Sequence, residues 1–123
     1  MLKGALLAES LRVGAELIVP GLRVTRLSRV DVSASALSTQ PGVWTFVEFE
    51  AEDEQAVPLA EALKGALLAE GGWYADFRVG DDHVVVFASR VFRYCRGDAG
   101  ARCEVVAYGA SVGVPAHQLD WAD

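Results

Sequence analysis

The sequence is poor in the residues that build metal centres and nucleophilic active sites. Its 123 residues include two cysteines and two histidines. Cys95 and Cys103 form no Cys-x-x-Cys pair, and His83 and His117 form no His-x-x-x-His pair, which are common zinc-ligand spacings. A nucleophilic serine or cysteine needs a neighbouring base, and two isolated histidines are a poor source of one. The sequence therefore predicts no metal site, no catalytic residue and no cofactor.

Long apolar runs are also absent. No run approaches the roughly 18 apolar residues of a membrane-spanning helix. The apolar stretch at the start meets Glu9 too early for the core of a signal peptide, and it lacks a cleavage pattern. We therefore expect a cytoplasmic protein with reduced thiols and no membrane contact.

Positive charge is in short supply. The chain has 11 Lys and Arg against 17 Asp and Glu, a net charge of −6 at pH 7. An acidic surface repels phosphate backbones, so we expect no nucleic acid partner, whereas a basic protein or a cationic ligand is compatible. The charge is also segregated, because residues 1–30 carry +3 and residues 31–54 carry −6. If these segments pair as strands, arginines and glutamates can face each other across the ladder.

The length of 123 residues predicts a single domain over residues 1–123, and apolar residues are abundant for a chain of this length. They make up 52% of the sequence, and the mean hydropathy is +0.25. Part of this apolar surface is expected to cover an interface between subunits, most simply in a twofold dimer.

One octapeptide, LKGALLAE, occurs twice, at residues 2–9 and 63–70. Ala, Leu and Glu are common in helices, so the match can arise without a duplication of the sequence. The alternative is an internal duplication that has since diverged. The second copy is predicted to end a helix that stops at Gly71-Gly72. Residues 1–10 are predicted to be an N-terminal arm or a short helix.

Three segments have the composition of β-strands. Residues 22–32 are rich in arginine and β-branched residues and alternate imperfectly, which is typical of an edge strand. Residues 43–51 have one largely apolar face, and a second face that changes from apolar to acidic. That second face consists of Trp44, Phe46, Glu48 and Glu50. Residues 73–94 contain two extended runs around a Gly-Asp turn and predict a hairpin.

The hairpin is predicted to place Trp73, Ala75, Phe77 and Val79 on one face, and Tyr74, Asp76 and Arg78 on the other. The return strand is apolar on both faces, which indicates a central position. A bulge at Ser89-Arg90 is predicted before residues 91–94 continue outward.

Two main helices complete the predicted fold. The first buries a stripe of Leu59, Leu63, Ala66 and Leu67, and the second follows an N-cap at Asp98. The second helix is expected to bury Cys103, Val106, Ala107 and Ala110. The order β-β-α-β-β-(β)-α predicts an α+β fold with an antiparallel sheet of four to five strands and both helices on one face.

Two groups of polar residues are candidates for a catalytic or binding role. Asp81, Asp82 and His83 are adjacent on a strand, so they point to opposite faces and are better explained as a turn. Tyr74, Asp76 and Arg78 share a face, as a surface network or as part of a pocket.

The motifs GWYxDF, VFxY…GD and GVPxxQLDW occur at residues 72–77, 91–98 and 113–121. With them the chain resembles a family of small bacterial proteins of unknown function. The resemblance covers most of the chain beyond residue 10. It implies one intact domain, and it implies no activity, cofactor or catalytic residue.

Three functional hypotheses follow. The first is a non-enzymatic interaction module that self-associates and binds a basic protein, with candidate interface residues Phe46, Glu48, Glu50 and Arg78. The second is a small-molecule-binding domain with an aromatic, acidic pocket for a cationic or flat ligand. Its candidate residues are Trp44, Trp73, Tyr74, Asp76, Tyr94 and Trp121. The third is an enzyme that uses Asp76, Asp82 or His83 in acid–base chemistry, although no substrate, nucleophile or orienting group is evident.

Overall fold

Six strands and two α-helices form an α+β fold in the computed structural model, which describes every residue from Met1 to Asp123. The strands are β1 (Leu2–Leu7), β2 (Arg23–Asp31), β3 (Val43–Ala51), β4 (Ala75–Val79), β5 (Asp82–Val86) and β6 (Val91–Cys95). The helices are α1 (Ala56–Ala66) and α2 (Ala99–Ser111). All strands form one antiparallel sheet in the order β2-β3-β1-β4-β5-β6. The predicted fold class is confirmed, with six strands instead of four or five.

The additional strand is β1, which corrects the prediction of an arm or short helix at residues 1–10. It lies in the middle of the sheet and pairs antiparallel with both β3 and β4. Leu2 and Leu6 are buried on one face, as a strand with period two requires. Gly4 allows β4 to approach closely, because a Cβ atom at this position would collide with the carbonyl oxygen of Asp76.

Strand β2 is an edge strand, as predicted, and it pairs with β3. A bulge interrupts the register between Val24 and Arg26, which explains the imperfect alternation. The predicted pairing of opposite charges is also confirmed. The Arg23 guanidinium lies 2.6 Å from the Glu50 carboxylate, and that of Arg26 lies 3.5 Å from Glu48.

The predicted hairpin is formed by β4 and β5, with a turn at Gly80 that has a φ of 55°. Strand β5 lies between β4 and β6, so its predicted interior position is confirmed. The predicted bulge at Ser89-Arg90 is wrong, because Ala88 and Ser89 form a tight turn that is closed by a hydrogen bond from the amide of Phe87 to the carbonyl of Arg90. The following residues therefore return as β6 alongside β5.

Helix α1 covers one face of the sheet. It buries Leu59 and Leu63 against the larger core, which includes Phe49 and Phe77. It ends at Ala66, five residues earlier than the predicted stop at Gly71. The reason is tertiary, since the chain after Ala66 leaves the helix to bond with residues 10–12.

Helix α2 packs on the opposite face, which corrects the prediction that both helices share one face. Alternate residues of β5 divide between the two cores, with Val84 and Val86 facing α1, and Val85 packing with Val105 of α2. The interior position of β5 makes this division possible, because both of its faces need cover.

The buried side of α2 also differs from the prediction. Its buried residues are Val105 and Gly109, whereas Cys103 is exposed. Gly109 lies where the side chains of Phe87 and Leu119 approach the helix, so contact occurs through a residue without a side chain. The predicted cap at Asp98 is confirmed, since its carboxylate accepts a hydrogen bond from the Ala101 amide at 3.0 Å.

Candidate functional site

A groove lies over β3, β1 and β4 on the face of the sheet that carries α2. Its closed end is a cavity of about 350 Å³, and a more open depression of about 550 Å³ continues from it. Ala5, Phe46, Tyr74, Asp76 and Asp120 line both parts, so the two form one continuous surface. Neither helix supplies a lining residue.

The floor of the groove follows from the pleat of β1. Lys3, Ala5 and Leu7 alternate with the buried Leu2 and Leu6, so they point into the groove. The small Ala5 is flanked by Glu48 of β3 and Asp76 of β4 in the ladder. Because the methyl group of Ala5 is shorter than the side chains on either side, the surface is depressed at this position.

Aromatic rings form the closed end. The rings of Trp44 and Trp73 meet edge to face with centroids 5.5 Å apart, and Phe46 lies 6.5 Å from Trp44. Tyr74 and Trp121 make a second edge-to-face pair at 5.5 Å. The buried Nε1 of Trp44 has no hydrogen-bond partner in the chain, which is uncommon for a buried donor.

Two segments distant in sequence close the end of the cavity. The loop carbonyl of Ser35 lies 2.7 Å from the His117 ring nitrogen and accepts from the Gln118 amide at 3.0 Å. Gln118 also exchanges hydrogen bonds with Gln40. The Tyr74 hydroxyl donates to the Gln118 carbonyl at 2.6 Å, so the wall is tied to the sheet.

Beneath the groove, the fully buried side chain of His83, with 0% exposure, contacts the carboxylate of Asp76. Its Nε2 lies 2.8 Å from Oδ2 of Asp76, and its Nδ1 lies 3.2 Å from Oδ1 of Asp123. Its ring stacks on Tyr94 with an interplanar angle of 5°. The side chain of Asp76 stays 27% exposed, so one contact orients it while it still faces the groove.

Polar side chains hold the C-terminal tail, residues 119–123, against the sheet at Trp121 and Asp123. The indole of Trp121 donates to the Tyr94 hydroxyl at 2.7 Å, and that hydroxyl donates to Asp123 at 2.7 Å. Arg102 lies over the Trp121 ring and contacts Asp123 at 3.1 Å. Burial by itself would raise the pKa of Asp123, but hydrogen bonds from Tyr94 and Gly97 and the positive charges nearby lower it.

The hydroxyl of Tyr74 is a permanent donor at physiological pH. Burial raises its pKa far above the ordinary value, and the negative charges of Asp76 and Asp120 act in the same direction. Burial likewise raises the pKa of Tyr94. Neither phenol is therefore available as a base.

The groove brings together five of the six predicted ligand-binding residues, namely Trp44, Trp73, Tyr74, Asp76 and Trp121. Tyr94 is not among the lining residues, because it lies beneath Trp121 against His83. The four proposed interface residues, Phe46, Glu48, Glu50 and Arg78, line the same groove. Several lining residues were not predicted from the sequence, among them Lys3, Ala5, Leu7, His117, Gln118 and Asp120.

The acidic turn does not converge on a substrate. Asp82 pairs with Arg93 at 2.7 Å, while His83 turns inward to Asp76. The expected partnership between Asp76 and Arg78 is not formed, since Asp76 is bound to His83 and Arg78 makes no ion pair. Asp76 and His83 therefore meet, but no nucleophile accompanies them.

The chain forms neither a cluster of metal ligands nor a helix that could cross a membrane. No group of three or more His, Cys, Asp or Glu side chains is placed to hold a metal ion. Cys95 and Cys103 are both free and exposed. No helix combines the length and apolar character needed to cross a membrane.

No protein-family model matches the chain, and no curated protein or solved structure matches it. The family resemblance drawn from the sequence motifs therefore stays a prediction.

Proposed function

We propose that the chain is a small-molecule-binding domain whose ligand is a flat ring bearing a cationic group. The supporting observation is a cavity of about 350 Å³ that joins aromatic walls to acidic side chains. This volume lies within the range of roughly 300–1,000 Å³ that is typical of small-molecule sites. The ring would lie among Trp44, Phe46, Trp73 and Tyr74.

The aromatic end supports a flat ligand. Rings placed edge to face present both edges and faces to a guest, and an inserted ring gains further edge-to-face contact. The Nε1 of Trp44, a residue of this end, is a buried donor with no partner in the chain. An acceptor atom on the ligand that reached this nitrogen would satisfy it.

The acidic side supports a cationic group. Asp76 is oriented by His83 and lines both parts of the groove. Asp120 lines both parts as well, and it has neither an ion pair nor a side-chain hydrogen bond. An ammonium group between these carboxylates and the aromatic faces would gain charge pairing and cation–π contact.

Calorimetric titration with tryptamine, a flat indole that carries one amine, tests this function. Saturable binding is expected, and the Asp120→Asn variant should bind about fivefold more weakly through loss of an exposed charge contact. Asp81→Asn makes the same change on the distant hairpin turn and should match the wild type within twofold. In NMR spectra the Trp44 indole N–H resonance should shift on binding. Absence of heat and of resonance shifts with tryptamine and with a wider set of flat amines would refute the proposal.

Self-association is a second candidate, supported by an exposed apolar strip on the edge strand. Val24 and Leu27 of β2 are 61% and 65% exposed, and Ile18 before the strand is 80% exposed. Both strand residues pair with residues of the α1 face, so they point the same way. An open edge with an apolar strip can dock a second copy about a twofold axis.

Sedimentation velocity tests the second candidate. A dimer is expected that dissociates in Leu27→Glu but persists in Val57→Glu, since Val57 is 66% exposed on α1. A wild-type monomer at high protein concentration would contradict self-association. Glu48 and Glu50 are bound by arginines of β2, so a basic partner would have to displace those arginines.

A further inference from the structure

We propose that the groove also binds an anionic oxygen group of the ligand, a carboxylate or a phosphate, between Lys3 and Arg78. The inference rests on the proposed function and names the other half of the ligand. It places the anion at the open end of the groove and the ring at the closed end.

Six acidic and basic side chains of Asp, Glu, Lys and Arg line the groove, and three of them are paired within the chain. Glu50 is paired with Arg23, Glu48 with Arg26 and Asp76 with His83. Asp120 is unpaired and is assigned above to the cationic group of the ligand. Lys3 and Arg78 line the same surface, and neither makes an ion pair or a side-chain hydrogen bond. The groove of an acidic protein thus keeps two unpaired cations.

Lys3 and Arg78 are direct cross-strand partners in the ladder of β1 and β4, and both line the groove. On its other side Lys3 faces Glu50 of β3, whose carboxylate is bound by Arg23. Like charges that face each other across a ladder repel, and an anion between them would turn this repulsion into attraction. A guanidinium beside an ammonium suits a carboxylate or a phosphate, because both groups donate several charged hydrogen bonds.

The spacing along the groove also fits a ligand with both charges. The next pair on the same face is Ala5 and Asp76, two residues further along the strands and therefore about 7 Å away. A cationic group at Asp76 and Asp120 would lie between the aromatic cavity and the anion site. The ligand class that fits all three parts is a zwitterion with a flat ring, as in an aromatic amino acid or an amine that also carries a phosphate.

The anion site can be tested separately with inorganic phosphate and with malonate. In the wild type, the backbone amide resonances of Lys3 and Arg78 should shift and saturate. These shifts should vanish in Lys3→Met/Arg78→Met and persist in Lys64→Met/Arg29→Met, which makes the same charge change elsewhere. The anion with the lower dissociation constant identifies carboxylate or phosphate as the preferred group. Shifts that fail to saturate, or that survive in the first variant, would overturn the inference.

Calorimetry with matched indoles then links the two sites. L-Tryptophan, which adds a carboxylate to tryptamine, should bind the wild type about fivefold more tightly than tryptamine. Lys3→Met/Arg78→Met should abolish this preference, and the control pair should keep it. Tryptamine binding without the preference would leave the proposed function standing and overturn the anion site. Saturable anion shifts at Lys3 and Arg78 without binding of either indole or of the wider set of flat amines would support the anion site and refute the proposed function.

Discussion

The two copies of LKGALLAE have the same sequence and different structures. The first copy supplies β1, the strand at the centre of the sheet, and the second supplies the last turn of α1 and the extended segment that follows it. The copies also lie near each other, because the Leu68 amide donates to the Ser10 carbonyl at 2.8 Å. An identical octapeptide therefore lies in a strand or in a helix within a single domain.

The comparison shows why local sequence is insufficient here. Leu2 and Leu6 are buried in the first copy, and their equivalents Leu63 and Leu67 are buried in the second. A spacing of four residues is two full periods of a strand and about one turn of a helix, so it satisfies both. The surroundings of each copy determine its secondary structure. Helix α1 begins before the second copy and continues into it, whereas the first copy pairs between β3 and β4.

Truncating the first leucine of each copy should have the largest effect. Leu2 and Leu63 are both 0% exposed in the same core, so each change to Ala should cost about 2–5 kcal/mol of unfolding free energy. Urea denaturation measures both, and Leu68→Ala, at 36% exposure, should cost much less. A loss at Leu2 as small as that at Leu68 would be inconsistent with a central β1.

Replacing the glycine of each copy by alanine should change the unfolding free energy in opposite directions. A Cβ at Gly4 would meet the backbone of β4, so Gly4→Ala should cost at least about 1–3 kcal/mol. Nothing lies within 4 Å of a Cβ at Gly65, and Ala favours a helix over Gly by about 0.5–1 kcal/mol. Gly65→Ala should therefore raise the unfolding free energy. Equal losses at both positions would show that the copies are not in different environments.

Replacing the last residue of each copy, Glu9 or Glu70, should give the smallest difference in unfolding free energy, and that difference should depend on pH. Glu9 accepts hydrogen bonds from the Thr45 amide at 2.6 Å and from its hydroxyl at 2.7 Å, whereas Glu70 is exposed without a partner. Burial by itself would raise the pKa of Glu9, but these bonds and the charge of Arg29 lower it below the ordinary value of 4.5. A carboxyl with a lowered folded-state pKa stabilises the protein above its ordinary pKa and loses that effect as the pH falls.

Glu9→Gln should therefore cost about 1 kcal/mol at pH 7, a value discounted for partial exposure. The difference from the wild type should shrink as the pH falls below 4.5. Glu70→Gln should stay within about 0.5 kcal/mol at every pH. Denaturation curves from pH 3 to pH 7 give the comparison, and a loss at Glu9 that did not change with pH would point to packing instead of charge.

Much of the fold could be predicted because several patterns are long and consistent with one another. The alternation in residues 43–51 predicts β3 and its faces, and the Gly-Asp turn predicts the hairpin of β4 and β5. The side of the sheet that α2 covers could not be predicted, because element order does not specify a face. Its small buried residues, Val105 and Gly109, also leave no clear apolar stripe.

The candidate site could be predicted in part for the same reason. Residues such as Tyr74 and Asp76 were assigned to one face because alternation fixes direction along a strand. The floor at Ala5 was missed because β1 was not recognised as a strand. The contact between His83 and Asp76 depends on the register of the hairpin, and the place of Asp120 depends on how the tail docks. Neither is a local property of the sequence.

The position of β1 also has a consequence for how the protein folds. The crossover from β3 through α1 to β4 leaves a gap one strand wide, and residues 2–7 fill it by pairing with strands that begin at residues 43 and 75. β1 is the strand that joins β2-β3 to β4-β5-β6. Closing contacts over such separations costs chain entropy before any contact is gained, so we expect folding to take milliseconds to seconds. The groove, whose floor is β1, requires both pairings of that strand.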